Sequence, residues 1–253
     1  MSAVVRVGTA QAPDGALLAF RAEGEGGRAL AACDGLGSGC AWRALSAHFA
    51  GRGDTFVTWD YRGQGQSPAA ARPESTTVSS CAGDLWAVLD AVPVDRAVLL
   101  GHAAGAHVIA EAYRQKPERV LALVPVPEGA PGPLSTALAP LLRALLEAGA
   151  ANPELAGRAL RAALALPGAG KAMRALGLIP ASAAGDAGSD LQRLARLDLR
   201  GWFALWRDLL SRDGKDPFAE ARVPVLQGHA TLLMQPELFA LKLEKFLEQV
   251  EPP

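Results

Sequence analysis

Histidine is the side chain best suited to move a proton near neutral pH, and three histidines of this chain fall where the residue pattern changes. His102 follows the apolar run Arg96–Leu100, within Gly101-His102-Ala103-Ala104-Gly105. His107 sits inside the helical stretch beyond it, and His229 stands just past Val223–Leu226. Local hydrogen bonds are expected to satisfy His102 and His107. Glu128 follows the apolar run Arg119–Val126, and a Glu128–His229 pair could fix the imidazole tautomer and supply a general base. Read blandly, Glu128 is a solvated loop carboxylate. Asp34 and Asp60 each close a strand-like run, the end at which parallel sheets place ligands, although Asp60 is expected mainly to fasten its own loop. Ser38 and Cys40 lie in a glycine-rich turn and could approach a pocket there, with satisfaction of turn geometry as the plainer role. Cys33 and Cys81 read as small buried hydrophobes.

The elements that must carry these residues alternate. Arg28–Cys33, Asp54–Asp60, Arg96–Leu100 and Arg119–Val126 are short apolar or β-branched runs, read as strands. Between them, Ala41–Ala50, Val78–Val92 and Ala104–Gln115 place apolar residues at helical spacing. Nearly all-apolar strands alternating with helices describe a parallel sheet covered on both faces. From Leu134 to about Ser211 the chain turns Ala- and Leu-rich and helical, with breaks at Pro153, Pro167, Pro180 and Gly185. Trp202 and Trp206, one helical turn apart, are candidates to line a pocket there, with packing inside the helical segment as the plainer role. Arg158, Arg161 and Arg174 read as solvated helix faces. Strand character returns at Val223–Leu226, and Pro236–Val250 is a closing amphipathic helix.

Composition excludes several classes. The 253 residues are half hydrophobic and can bury a full core. Basic and acidic residues nearly balance, 25 against 26, so nothing neutralises a phosphate backbone and no nucleic-acid partner is expected. Three cysteines without C-x-x-C spacing make neither a disulfide framework nor a thiolate metal site. No metal-ligand cluster, phosphate-binding loop or dinucleotide fingerprint appears, so no cofactor and no metal are expected. No run approaches the roughly 18 apolar residues of a spanning helix, and Met1–Gly15 lacks a signal-peptide pattern. A cytoplasmic protein without a membrane partner is the expectation.

Four strings in order resemble the α/β-hydrolase family. Asp34-Gly35-Leu36-Gly37 sits where that family has its oxyanion loop, and Asp60-Tyr61-Arg62-Gly63-Gln64-Gly65-Gln66-Ser67 is similar to its D-x-R-G-x-G-x-S loop. Gly101–Gly105 occupies the nucleophile elbow G-x-S-x-G, and Gly228–Glu237 looks like the terminal histidine loop and last helix. The resemblance covers most of the chain. It implies a mostly parallel sheet with helices on both faces, a core of residues 1–127 and 216–253, and a helical cap over 128–215. It also implies an oxyanion hole from the backbone N–H groups of Leu36 and Ala104. Glu128 stands where some relatives carry the triad carboxylate.

Two departures shape the functional expectation. The elbow position is Ala103, and a methyl group cannot attack a carbonyl. Only a few residues separate Val225 from His229, whereas neighbouring parallel strands need a crossover of roughly a dozen. One strand–helix unit near the C-terminus, with the usual acid, is therefore expected to be missing. The leading expectation is a member of esterase-like ancestry that binds a small apolar or acyl compound, or a protein, without turnover. A His229–Glu128 base working with the oxyanion hole, in lyase or cofactor-free oxygenase chemistry, is the alternative; a serine esterase inactivated at position 103 is another. An exposed sheet edge would allow a homodimer.

Overall fold

Short runs rich in Val, Leu and Ala form a single six-stranded sheet in the computed structural model, which describes residues 4–35, 42–126, 144, 147–168, 196–212, 216–227 and 235–250. The strands are β1 (Val5–Gln11), β2 (Leu17–Glu23), β3 (Ala29–Cys33), β4 (Thr55–Trp59), β5 (Ala97–His102) and β6 (Val120–Val126). Their spatial order is β1-β2-β4-β3-β5-β6. Strands β4, β3, β5 and β6 pair in parallel, and β1 and β2 are added antiparallel.

The four parallel strands match the apolar runs read from the sequence, and β3, β5 and β6 are buried at every residue. The β1–β2 hairpin was not anticipated. Strand β1 is largely exposed and β2 only partly buried, so polar residues interrupt the apolar signal. A turn at Ala12–Ala16 joins them, with Gly15 at φ 86° and the Ala12 N–H donating to the Ala16 carbonyl (2.9 Å).

Helices cover both faces. On one lie α1 (Arg43–Gly51) and, near the C-terminus, α6 (Pro236–Leu247), packed with Leu30, Phe56, Val98 and Leu100. On the other lie α2 (Val78–Ala91) and α3 (Ala104–Gln115), packed with Val57, Leu99 and Leu123. The expected helical segment holds, among the described residues, α4 (Pro153–Leu164) and α5 (Leu199–Ser211). Arg158 and Arg161 are exposed on α4, as their spacing suggested; Arg174 lies outside the described residues.

The expected strand at Val223–Leu226 pairs with β6 through one parallel bridge, Leu123 to Val225. Leu226 N–H donates to the Leu123 carbonyl (2.9 Å), and Leu123 N–H donates to Pro224 (3.0 Å). The expected loss of a strand–helix unit bears on residues 228–234, outside the described residues.

Candidate functional site

The order of the sheet locates the site. From β3 the chain crosses by α1 to β4 on one side, and the next parallel strand, β5, lies on the other side of β3. In an open parallel sheet such a reversal leaves a crevice at the carboxyl ends of the two strands. Cys33 pairs with Gly101 at that end. Asp34 and Gly35 therefore emerge beside His102 and Ala103.

The turn from β5 into α3 is tight. Ala103 caps α3 with φ 52° and ψ −117°, a backbone region that costs an L-residue about 1–3 kcal/mol. Its N–H donates to the Val126 carbonyl of β6 (3.0 Å), and its own carbonyl accepts from Ala106 (3.0 Å). Glycines make the turn possible through close approach. A Cβ on Gly101 would lie 2.4 Å from the Gly105 carbonyl oxygen, and one on Gly105 only 2.2 Å from that of Cys33. Ala104 is the first residue of α3, where a backbone N–H has no intrahelical acceptor. The geometry thus offers a donor beside a methyl side chain. It can hold an oxygen, and the methyl forms no covalent bond.

Gly35 faces the elbow. A Cβ there would stand 3.3 Å from the Ala103 methyl and 3.1 Å from His102 Nδ1. His102 and Asp34 are almost enclosed, their side chains 8% and 9% exposed, with Nδ1 3.8 Å from Asp34 Oδ1. The expectation that local hydrogen bonds satisfy His102 is corrected here: Nδ1 is buried and has no hydrogen-bond partner. The reason is distance, because 3.8 Å between strand-held groups exceeds hydrogen-bonding reach. Burial holds the imidazole pKa below its ordinary value. Asp34 Oδ1 accepts from the Gly35 N–H (2.8 Å), and the Asp34 carbonyl accepts from the Tyr61 hydroxyl (3.1 Å). His107 lies on α3, as read from the sequence.

Neighbouring loops are fastened by charge. The Arg62 guanidinium, 3% exposed, forks onto Asp84 of α2, which is fully buried, with both bonds at 2.6 Å. It also reaches Asp14 of the β1–β2 turn at 2.5 Å. Asp60 fastens its own loop as expected: Asp60 Oδ2 accepts from the Gln66 N–H (2.9 Å). A cleft of about 430 Å³ opens on the carboxyl ends of β3 and β4, lined by Asp34, Trp42, Arg43, Trp59, Asp60 and Gln66 among others.

Helix α5 is tied to the core at both ends. Asp198 N–H donates to the Gly63 carbonyl (2.8 Å), and its carboxylate caps the N–H groups of Arg200 (3.1 Å) and Gly201 (3.3 Å). Toward the other end, Asp208 Oδ2 accepts from the Val78 N–H at the start of α2 (2.8 Å). Trp202 and Trp206 are half-buried on α5, and Trp202 packs edge-on against Phe203 with ring centroids 5.0 Å apart.

Of the residues singled out from sequence, the structure brings Ala103, Ala104, Asp34 and His102 together. Leu36, Ser38, Cys40, Glu128 and His229 lie outside the described residues. Cys33 and Cys81 are free and buried, and burial pushes the Cys33 thiol up to about 12 and that of Cys81 well above its ordinary value. Sequence reasoning missed the Asp34–His102 apposition and the Arg62 cluster. Among the described residues no helix is long and apolar enough to cross a membrane, and no group of three or more His, Cys, Asp or Glu is placed to hold a metal ion.

A model of the alpha/beta hydrolase fold family matches residues 32–170, more than half the chain, and the chain belongs to that family. A protein named as a carbamate hydrolase, RutD of Variovorax paradoxus (strain S110), is 34% identical over 99 residues. That match covers 39% of this chain and 37% of the relative, so the similarity spans little more than a third of either. Among solved structures, epoxide hydrolase A from Mycobacterium thermoresistibile superposes with a TM-score of 0.68 at 18% identity, covering 99% of this chain and 100% of that one. The N-acyl homoserine lactonase AidH, complexed with N-hexanoyl homoserine, gives 0.70 at 16% identity and covers 97% of each chain. At such identities the likeness is one of fold.

Proposed function

We propose that this chain is an α/β-hydrolase-fold protein of hydrolytic ancestry that binds a small acyl compound at the crevice between β3 and β5 without hydrolysing it. The observation that carries the reading is the elbow itself. Ala103 keeps the strained turn, φ 52° and ψ −117°, while its side chain is a methyl. Backbone strain persists where the surrounding structure over-determines it, and such strain clusters at ligand sites. The N–H groups of Ala104 and Leu36 act as donors to a carbonyl oxygen, a role that needs no nucleophile. The curated relative is named a hydrolase, which supports the ancestry.

The test is binding of hexanamide, an uncharged acyl probe, followed by backbone amide shifts. The expected result is a saturable shift at Gly35 and Ala104, abolished in Ala103→Leu, whose larger side chain fills the crevice. No shift at either amide up to the solubility limit overturns the reading.

A further inference from the structure

We propose that His102 is a positioning residue: set against Asp34 across the crevice, its imidazole holds the Asp34–Gly35 turn against the Ala103 elbow, with a grip that tightens when the ring takes up a proton. The inference rests on reading this crevice as the binding site, and it names how occupancy is regulated.

The geometry has three parts. His102 and Asp34 are the first residues beyond the Cys33–Gly101 pair of adjacent parallel strands, so the sheet fixes their spacing. Each is bonded along the chain to the residue that shapes the crevice, Gly35 on one side and Ala103 on the other. A Cβ on Gly35 would touch both the His102 ring and the Ala103 methyl, so the turn packs closely against the ring and the elbow together.

His102 Nδ1 is also a buried polar atom without a partner. Such a group is costly to keep, and in a native structure it calls for an explanation. Because burial disfavours the charged ring, the imidazole is neutral at neutral pH. At 3.8 Å from Asp34 Oδ1 it then makes a polar approach and no hydrogen bond. A proton taken from solvent converts the ring to an imidazolium facing a carboxylate in a water-poor site, where attraction is strong. The turn is drawn in and the crevice narrows.

Apolar packing covers the face of the sheet that His102 shares. Side chains alternate along a strand, so His102 shares the face of Leu100, which α1 and α6 cover. There α6 contributes Phe239, Ala240 and Leu243, and β6 contributes Val124 and Val126, all apolar. Arg43 of α1 and Asp60 line the cleft that Asp34 also lines. Cys33 of β3 and Tyr61, nearest the Asp34 backbone, have pKa values raised by burial and stay uncharged.

The experiment is a pH titration of the uniformly ¹⁵N-labelled chain, reading the His102 ring nitrogens together with the Gly35 and Ala104 backbone amides. We expect both amides to move along one curve with the ring's midpoint. In Asp34→Asn the midpoint falls by about one pH unit, as befits loss of an opposite charge at that range. In His102→Gln the amides no longer titrate, while thermal unfolding shows the variant folded. Amides that stay still while the ring titrates, or a midpoint unchanged in Asp34→Asn, overturn the proposal. The amide curves are recorded without any probe, so failure of hexanamide to bind would count against the binding reading alone. If hexanamide does bind, its affinity falls through the same midpoint as the pH is lowered.

Discussion

Two polar clusters, one around Arg62 and one around His102, lie near the carboxyl edge of this sheet, and they are built in opposite ways. Around Arg62 every strong donor finds an acceptor: two 2.6 Å bonds to Asp84 and a 2.5 Å bond to Asp14 tie the loop after β4, helix α2 and the β1–β2 turn into one unit. Burial pushes the Asp84 carboxyl up, and the Arg62 guanidinium pulls against it. Around His102 the polar atoms face each other at 3.8 Å and Nδ1 stays unbonded. A saturated cluster is what structure needs, since a buried charge without partners is not tolerated. At His102 one buried ring nitrogen stays unbonded beside a strained turn. The contrast is between a fully fastened loop and an apposition without a hydrogen bond.

Breaking the saturated cluster gives the largest effect. Arg62→Met leaves Asp84 buried without its partner and is expected to cost about 3–5 kcal/mol in urea unfolding. The double variant Arg62→Met/Asp84→Leu recovers part of that loss; a single-variant cost below about 1 kcal/mol would erase the distinction. Next comes the packing that brings α3 against β3. Gly105→Ala puts a Cβ 2.2 Å from the Cys33 carbonyl oxygen, and overpacking of this kind costs about 1–3 kcal/mol. Its unfolding midpoint in urea should fall accordingly.

His102 answers more quietly. Because His102 Nδ1 makes no hydrogen bond to lose, His102→Gln at pH 7.5 is expected to change stability by less than about 1 kcal/mol, measured in the same denaturant series. The smallest signal is in the pH dependence. Burial holds the folded His102 pKa below the ordinary imidazole value of about 6.5, so the unfolded chain binds the proton more readily. Stability contributed by this group is therefore present above that value and declines as pH falls from it toward the folded value. One proton limits the slope to about 1.4 kcal/mol per pH unit. In unfolding curves between pH 7.5 and 5, stability should fall more steeply in the wild type than in His102→Gln.

Much of this architecture is legible in the residue pattern. Strands β3, β5 and β6 announce themselves because both of their faces are covered, which leaves nearly unbroken apolar runs. The elbow is legible through Gly101 and Gly105, since only glycine tolerates the approaches found there. Strands β1 and β2 are not legible because an edge hairpin that is only partly buried mixes polar with apolar residues. Asp34 and His102 lie far apart in sequence and meet only because β5 settles beside β3, a fact of strand order that periodicity does not carry. Asp14, Arg62 and Asp84 likewise converge from three separate elements. His102 was read as satisfied because its residue type and neighbours are ordinary; the missing bond is a matter of ångströms.

The measurement that decides whether this crevice binds without reacting is release of p-nitrophenol from p-nitrophenyl butyrate and hexanoate, with intact-mass detection of any acylated chain. It should be run on the wild type, Ala103→Ser and His229→Ala. The expected wild-type result is no acyl adduct and no release above the buffer rate, with His229→Ala indistinguishable from it. Serine at 103 then reports whether a histidine and an acid still converge on the elbow. Wild-type turnover that disappears in His229→Ala would contradict the binding reading and make this chain an enzyme working with a base and no elbow nucleophile.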